Sequence, residues 1–205
     1  MHHINRGAPP PLLRSLAEID RHREWDSSGE KETHAAIKEG LRHSQHRMCA
    51  YCEALVSKAG RVEHVHPKTR STCVAGPSPE NWHYQWENLL LVCGSNDHCD
   101  GAKADVDLCD HALFPDGMLP GEQYLKVDLS DGALVVSTTL SEGVREKLLR
   151  SIEELGLNDP ILVAKRKVAL EILLQEMQES GDEAIARHRV ASNLGFKTTV
   201  DSYFS

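Results

Sequence analysis

Apolar residues recur at helical spacing through the first quarter of the chain and change to strand-like spacing at residue 49. Gly7-Ala8-Pro9-Pro10-Pro11 breaks any earlier element, and Leu12, Leu16 and Ile19 then fall on one face, predicting a short helix from Leu12 to Trp25. Ser27-Ser28-Gly29 ends it. A second helix is predicted from about Glu30 to Arg47 on a narrow stripe of Ala36, Ile37 and Leu41, and it delivers the chain to Cys49. Beyond that point Val62, His64 and His66 alternate with Glu63, Val65 and Pro67, the period-two signature of a short strand. Thr72 to His83 holds two prolines and a glycine and reads as loop. Leu89-Leu90-Leu91-Val92 is a continuous apolar run that ends at Cys93.

Further on, Tyr124–Leu129 and Ala133–Thr138 flank Ser130-Asp131-Gly132, a three-residue hairpin signal. Ser141 is placed to cap a helix running to about Leu155. Asp159-Pro160 opens a longer one from Ile161 to about Glu179, and Asp182 to Leu194, closed by Gly195, makes the last. The elements together predict an α+β protein: N-terminal helices, a central mixed segment, then a C-terminal β-hairpin and C-terminal helices. Internal repeats and low-complexity runs are absent from the sequence.

The 205 residues suffice for one domain with appended helices. No run approaches the eighteen apolar residues of a membrane span, and Met1-His2-His3-Ile4-Asn5-Arg6 lacks the apolar core of a secretory signal, so a cytoplasmic protein with no membrane association is expected. Six cysteines in a reducing compartment point to metal or thiol chemistry instead of disulfides. Cys49, Cys52, Cys93 and Cys99 bracket one segment; Cys73 and Cys109 fall outside any paired spacing.

A net charge of −8 argues against a protein that coats nucleic acid, because nonspecific affinity comes from counterion release by Lys and Arg. Its distribution weakens that objection. Residues 1–48 carry eight basic and seven acidic side chains, 49–103 carry five and six, and 104–205 carry ten and eighteen. The acidity is C-terminal, and a polyanion can still approach the central segment.

Three signals in that segment carry chemistry. Cys49-Ala50-Tyr51-Cys52, with Cys93 and Cys99 about forty residues later, offers four soft ligands for a tetrahedral structural Zn2+. The second pair has five intervening residues where two are usual, so His98 or Cys73 is an alternative fourth ligand. Arg61-Val62-Glu63-His64-Val65-His66-Pro67-Lys68 places an acid-His dipeptide on the strand. Strand alternation turns the two side chains to opposite faces unless the strand bends, and a hydrogen-bonded structural histidine is the plainer alternative. Trp86-Glu87-Asn88 precedes the buried run and Asp100 follows Cys99; a turn residue and a helix N-cap are their plainer readings.

In order and spacing, Cys-x-x-Cys, Glu63-His64-x-x-Pro67, Asn88-Leu89 ahead of Cys93, and Cys99-Asp100-x-x-Lys103 together resemble the HNH endonuclease family. The resemblance implies a ββα-metal core with a zinc knuckle in residues 49–110, an N-terminal helical segment in 1–48, and a C-terminal hairpin and helical region in 111–205 for partner docking. It assigns Glu63 and Asp100 as ligands of a catalytic Mg2+ or Mn2+, His64 as general base, and Asn88 as the residue that orients the His-bearing loop. The family's usual ending is Cys-Asn-x-x-Lys; Asp100 departs from it, although a carboxylate is a good ligand for either ion. Arg61, His66, Lys68, Arg70 and Lys103 become candidate nucleic-acid contacts, each with a solvated or structural role as its alternative.

More of the chain resembles one branch, the PtuB-like HNH nucleases of Septu-type and retron-linked antiphage systems. The matching residues are Arg6-Gly7-Ala8-Pro9, Gln45, Cys49-Ala50-Tyr51-Cys52-Glu53, Trp86 to Leu91, and Leu155-Gly156-Leu157-Asn158 with Arg166 downstream. This implies an ATPase partner of the PtuA type and a DNA or RNA substrate. Two other classes stand beside the nuclease: a catalytically inactive zinc module that binds nucleic acid or a partner, and a structural adaptor whose C-terminal helices dock an ATPase.

Overall fold

The computed structural model describes residues 4–19, 25, 31–67, 82–104, 106, 107, 118 and 123–204. Helices α1 (Pro11–Ile19) and α2 (Lys31–Ser44) lead into a two-stranded antiparallel sheet, β1 (Arg61–His64) with β2 (Leu89–Val92), followed by the short helix α3 (Asp100–Lys103). A hairpin, β3 (Leu125–Val127) with β4 (Leu134–Val136), precedes α4 (Glu142–Glu154), α5 (Pro160–Ser180), α6 (Glu183–Leu194) and α7 (Lys197–Tyr203). Two sheets with surrounding helices make the chain α+β. No helix among the described residues is long and apolar enough to cross a membrane.

All four residues of β2 are buried, and their register places Glu63 opposite Leu90 and His64 opposite Leu89. Burying such aliphatic side chains is worth about 1.5–3 kcal/mol each, so this run anchors the position of β1. The free edge of β2 is closed by a side chain. Gln45, just past α2, gives its amide N–H to the Leu91 carbonyl at 2.8 Å and accepts the Leu91 N–H at 2.8 Å, pairing as a neighbouring strand would. Farther along the strand Arg6 donates to the Leu89 carbonyl at 3.1 Å, and Trp86 donates to Gly7 O at 3.3 Å.

In α1 Leu13 is buried and Leu12, expected on the buried face, is 47% exposed; the side chains of residues 16–19 lie outside those described. Helix α2 buries Thr33, Ile37 and Leu41, with Ala36 only half-buried. The segment read as loop ends in two 3-10 turns, Trp82–Tyr84 and Trp86–Asn88. Ser141 caps α4 through its backbone carbonyl, to Arg145 N at 3.0 Å, and not through its hydroxyl. Asp159 caps α5 with its side chain, and Pro160 occupies the first helical position.

The C-terminal helices reach back to the cysteine loops. The Leu155 carbonyl accepts Cys99 N–H at 2.7 Å, and the Glu53 carbonyl accepts Phe196 N–H at 2.9 Å. Arg166, buried in α5, donates to Leu157 O at 2.6 Å and to Asn158, while Asn158 bonds both backbone groups of Leu134. One contiguous apolar cluster runs from Ile4 through Tyr51, Leu91 and Leu125 to Leu170.

Candidate metal centre and active site

The loop carrying Cys49 and Cys52 is closed by Cys49 N–H to Ala54 O at 2.9 Å and Glu53 N–H to Cys49 O at 3.0 Å. Ala50 N–H bonds the Leu91 carbonyl, so the loop sits directly on β2. The second pair spans a longer loop, and three features close it. Cys99 takes φ +60°, its N–H is caught by Leu155, and Gly101 packs so tightly that a Cβ there would lie 2.5 Å from Asn96 Cα. Only glycine permits that approach. The Sγ atoms of Cys49, Cys52, Cys93 and Cys99 all lie within 4.8 Å of one another, and the closest pairs stand 3.8 Å (Cys49–Cys99) and 3.9 Å (Cys52–Cys93) apart.

Four thiolates about 2.3 Å from a tetrahedral Zn2+ would stand about 3.8 Å from each other. The quartet fits that ion. Cys99 occupies the fourth position; His98 lies beside it, with Nδ1 3.3 Å from Cys99 Sγ and 3.7 Å from Cys93 Sγ. Hydrogen bonds among the neighbouring thiols hold Cys93 below the usual thiol range and push Cys52 and Cys99 above it. Cys73 and Cys109 lie outside the described residues, as do Lys68 and Arg70.

Strand β1 sends Glu63 and His64 to different neighbours. Glu63 faces α3: Lys103 Nζ stands 2.8 Å from its Oε1, and the Asp100 carboxyl, at the start of the same helix, lies beside its own. Burial, then Asp100, raise the Glu63 pKa to about 8 against the opposing pull of Lys103. The Lys103 ammonium is the charge partner of Glu63 Oε1. Two adjacent carboxyl groups are a donor set suited to a hard divalent cation. Asp100 also pairs with Arg61 at 3.4 Å.

His64 lies on the other side, 5% exposed. Its Nε2 is 3.0 Å from the His83 carbonyl, and Trp25 meets the ring edge-on with centroids 4.6 Å apart. A carbonyl only accepts, so Nε2 carries a proton, and in the neutral ring the lone pair is on Nδ1. The chain bends at Val65 and His66, immediately past His64. Asn88 fixes that bend: its Oδ1 accepts His66 N–H at 2.7 Å, its Nδ2 donates to His66 O at 3.1 Å, and its own carbonyl accepts Val65 N–H at 2.9 Å. The His66 ring is bonded to Asp107, with Nδ1 3.2 Å from Oδ1.

Glu63 and Asp100 are thus brought together, His64 is one residue away on the opposite face, and Asn88 holds the turn between. Lys103 is 1% exposed, with its ammonium on Glu63 and, at 3.1 Å, on the His64 carbonyl. Arg61 is half-committed to Asp100 and Asn96. Sequence reading missed two contributors. His83 supplies the carbonyl that sets the His64 tautomer. Tyr51 is fully buried beside Glu63 and the four cysteines, and burial, then Glu63, push its phenol well above the ordinary range. Neither stands out by spacing, since Tyr51 is an interior position of Cys-x-x-Cys and His83 sits in what reads as loop.

No family model matches the chain. Over 100 residues it is 30% identical to a protein of Escherichia coli named "Retron Ec83 putative HNH endonuclease". The aligned stretch covers 45% of this chain and 37% of the relative, so the chain spans little more than a third of the protein it matches. The chain is therefore similar, at low identity and over part of its length, to a protein that carries the HNH endonuclease name.

Proposed function

We propose that the protein is a metal-dependent HNH endonuclease that hydrolyses phosphodiester bonds in nucleic acid. The observation that carries this reading is the pairing of the Glu63 and Asp100 carboxyls one residue from an imidazole whose Nδ1 bears the lone pair. Glu63 and Asp100 are the residues that would hold one Mg2+ or Mn2+, which supplies Lewis-acid relief of charge on the phosphate and the departing 3′ oxygen. His64 Nδ1 takes the proton of the attacking water, and the His83 carbonyl steadies the imidazolium that results. His64 and Glu63 leave adjacent positions of β1 toward different neighbours, so the proposed phosphate is reached by both only at the bend where β1 ends. Asn88 holds the bend that gives a phosphate access there. The four cysteines, bound to Zn2+, fix the loops from which β1 and α3 depart; four thiolates leave that ion no open position for water.

The identity with the retron protein supports placement among HNH endonucleases; the resemblance of the sequence motifs carries the finer reading, a PtuB-like nuclease of antiphage defence acting in the cytoplasm beside an ATPase partner of the PtuA type. Arg61, His66, Lys68 and Arg70 are the proposed substrate contacts, with Lys103 serving the carboxylate pair. A zinc module that binds nucleic acid without cutting it is the second reading, favoured by the burial of His64.

His64→Ala separates the two. Cleavage of plasmid DNA or of total RNA in Mg2+ or Mn2+, by the protein with and without its ATPase partner, should fall at least about 100-fold while zinc content and circular dichroism stay unchanged. Wild-type protein that cuts neither polymer under any of these conditions would remove the enzyme reading and leave the binding module.

A further inference from the structure

Among the described residues, one cleft gathers four Lys and Arg side chains outside the carboxylate site. Between α2 and the loop at residues 56–58 lies a cleft of ≈ 510 Å³ lined by Lys38, Arg42, Arg47 and Lys58, with Glu39 as the one carboxylate among the described lining residues. Glu39 is largely exposed and reaches Arg42 at only 3.7 Å. The cations are held instead by neutral groups. Arg42 donates to Val56 O at 2.9 Å and Ser57 O at 3.0 Å, and Lys38 to Lys58 O at 2.8 Å. Bonding to carbonyls fixes these side chains without neutralising them, and further N–H donors remain on each. A concave surface with four cations against one carboxylate among its described lining residues suits a polyanion.

Resting on the nuclease reading above, we propose that this cleft is the groove in which the phosphodiester backbone of the nucleic-acid substrate lies as it enters the carboxylate site. The loop that forms one wall of the cleft runs through Gly60 directly into β1. Lys58 precedes Glu63 by five residues, so their Cα atoms are at most about 18 Å apart. B-form DNA rises 3.4 Å per nucleotide of a strand, and a strand that leaves the cleft along this loop would reach Glu63 within about five nucleotides. Arg42 and Arg47 supply planar forks for phosphate oxygens, and Lys38 and Lys58 supply point charges.

The experiment measures binding apart from cleavage. In the His64→Ala background, fluorescence anisotropy follows a labelled 20-base-pair DNA duplex and a labelled single-stranded RNA from low to physiological salt. Lys58→Glu leaves intact the backbone carbonyl that anchors Lys38, and is expected to weaken binding of at least one probe several-fold. Lys38→Glu/Lys58→Glu should weaken it at least about tenfold and flatten the slope of log K against log salt by about 0.7–0.9 per lost contact. Lys165→Glu/Lys167→Glu on α5 makes the same change in net charge and should leave both probes bound as before. Wild-type affinity and slope in both cleft variants would overturn the proposal, as would the absence of binding to either probe before substitution. If the unsubstituted protein cuts and the cleft variants bind normally, the cleft fails and the nuclease reading stands; binding through the cleft with no cleavage reverses that outcome.

Discussion

Glu53 caps a helix that begins 144 residues after it: its Oε2 accepts the Thr198 N–H at 2.7 Å and its Oε1 accepts the Thr198 hydroxyl at 2.6 Å. The second helical N–H of α7, which an N-cap side chain ordinarily satisfies, is met by a carboxylate from the zinc loop. Hydrogen bonds to a charged group are worth about 1.5–3 kcal/mol each. Glu53→Ala should lower unfolding free energy by at least about 3 kcal/mol, with Glu53→Gln intermediate, in urea titrations followed by circular dichroism. Unchanged midpoints in both would mean that this clamp adds nothing to stability.

Gly195 closes the same junction. It has φ +82°, and a Cβ there would lie 2.1 Å from the Glu53 carbonyl oxygen. Gly195→Ala should destabilise by about 2 kcal/mol or more through backbone displacement, while the neighbouring exposed position Asn193→Ala should change little. A thermal melt of the two variants beside wild type checks this.

Metal analysis of protein purified without added zinc should find about one zinc per chain. Cys49→Ser should lose the ion and much of the tertiary structure, since binding free energy at a structural zinc site is folding free energy. Chelation of wild type should reproduce that loss, and a full native melt after complete zinc removal would contradict the role given to the quartet.

Asn88→Ala removes both bonds to the His66 backbone without touching the carboxylates. The expected result is a kcat reduced by about 10–100-fold, given the 10²-fold penalties that a 1 Å misplacement can impose, with nucleic-acid affinity nearly unchanged. Asn88→Asp should do no better, because a carboxylate cannot donate to the His66 carbonyl. A fall in affinity with kcat preserved would make Asn88 a substrate contact.

Features governed by neighbours in sequence were legible before the fold was known. The run Leu89–Val92, the hairpin around Ser130-Asp131-Gly132 and the Asp159-Pro160 start of α5 all carry local signals, and each element formed within a residue or two of its expected bounds. Helix α7 carries none: Lys197-Thr198-Thr199-Val200 is rich in β-branched residues, follows Phe196 at φ +54°, and borrows its cap from Glu53. Cysteine spacing located the quartet, although not the means by which its longer loop closes, which depends on Leu155 and Gly101. Lys103 shows the same limit at the site. A lysine four residues past Cys99 reads alike whether it meets phosphate or a buried carboxylate, and only the packing of α3 on β1 places its ammonium 2.8 Å from Glu63.

The clamp between the Glu53 loop and residues 195–203 has a consequence during synthesis. Chains are made and fold from the N-terminus onward, so Glu63, His64 and Asp100 leave the ribosome well before the helix that braces their scaffold. Contacts of such long sequence separation form late. A nascent chain therefore exposes the segment holding Glu63, His64 and Asp100 before α7 exists, and the junction that Glu53 clamps can close only once translation has passed residue 203.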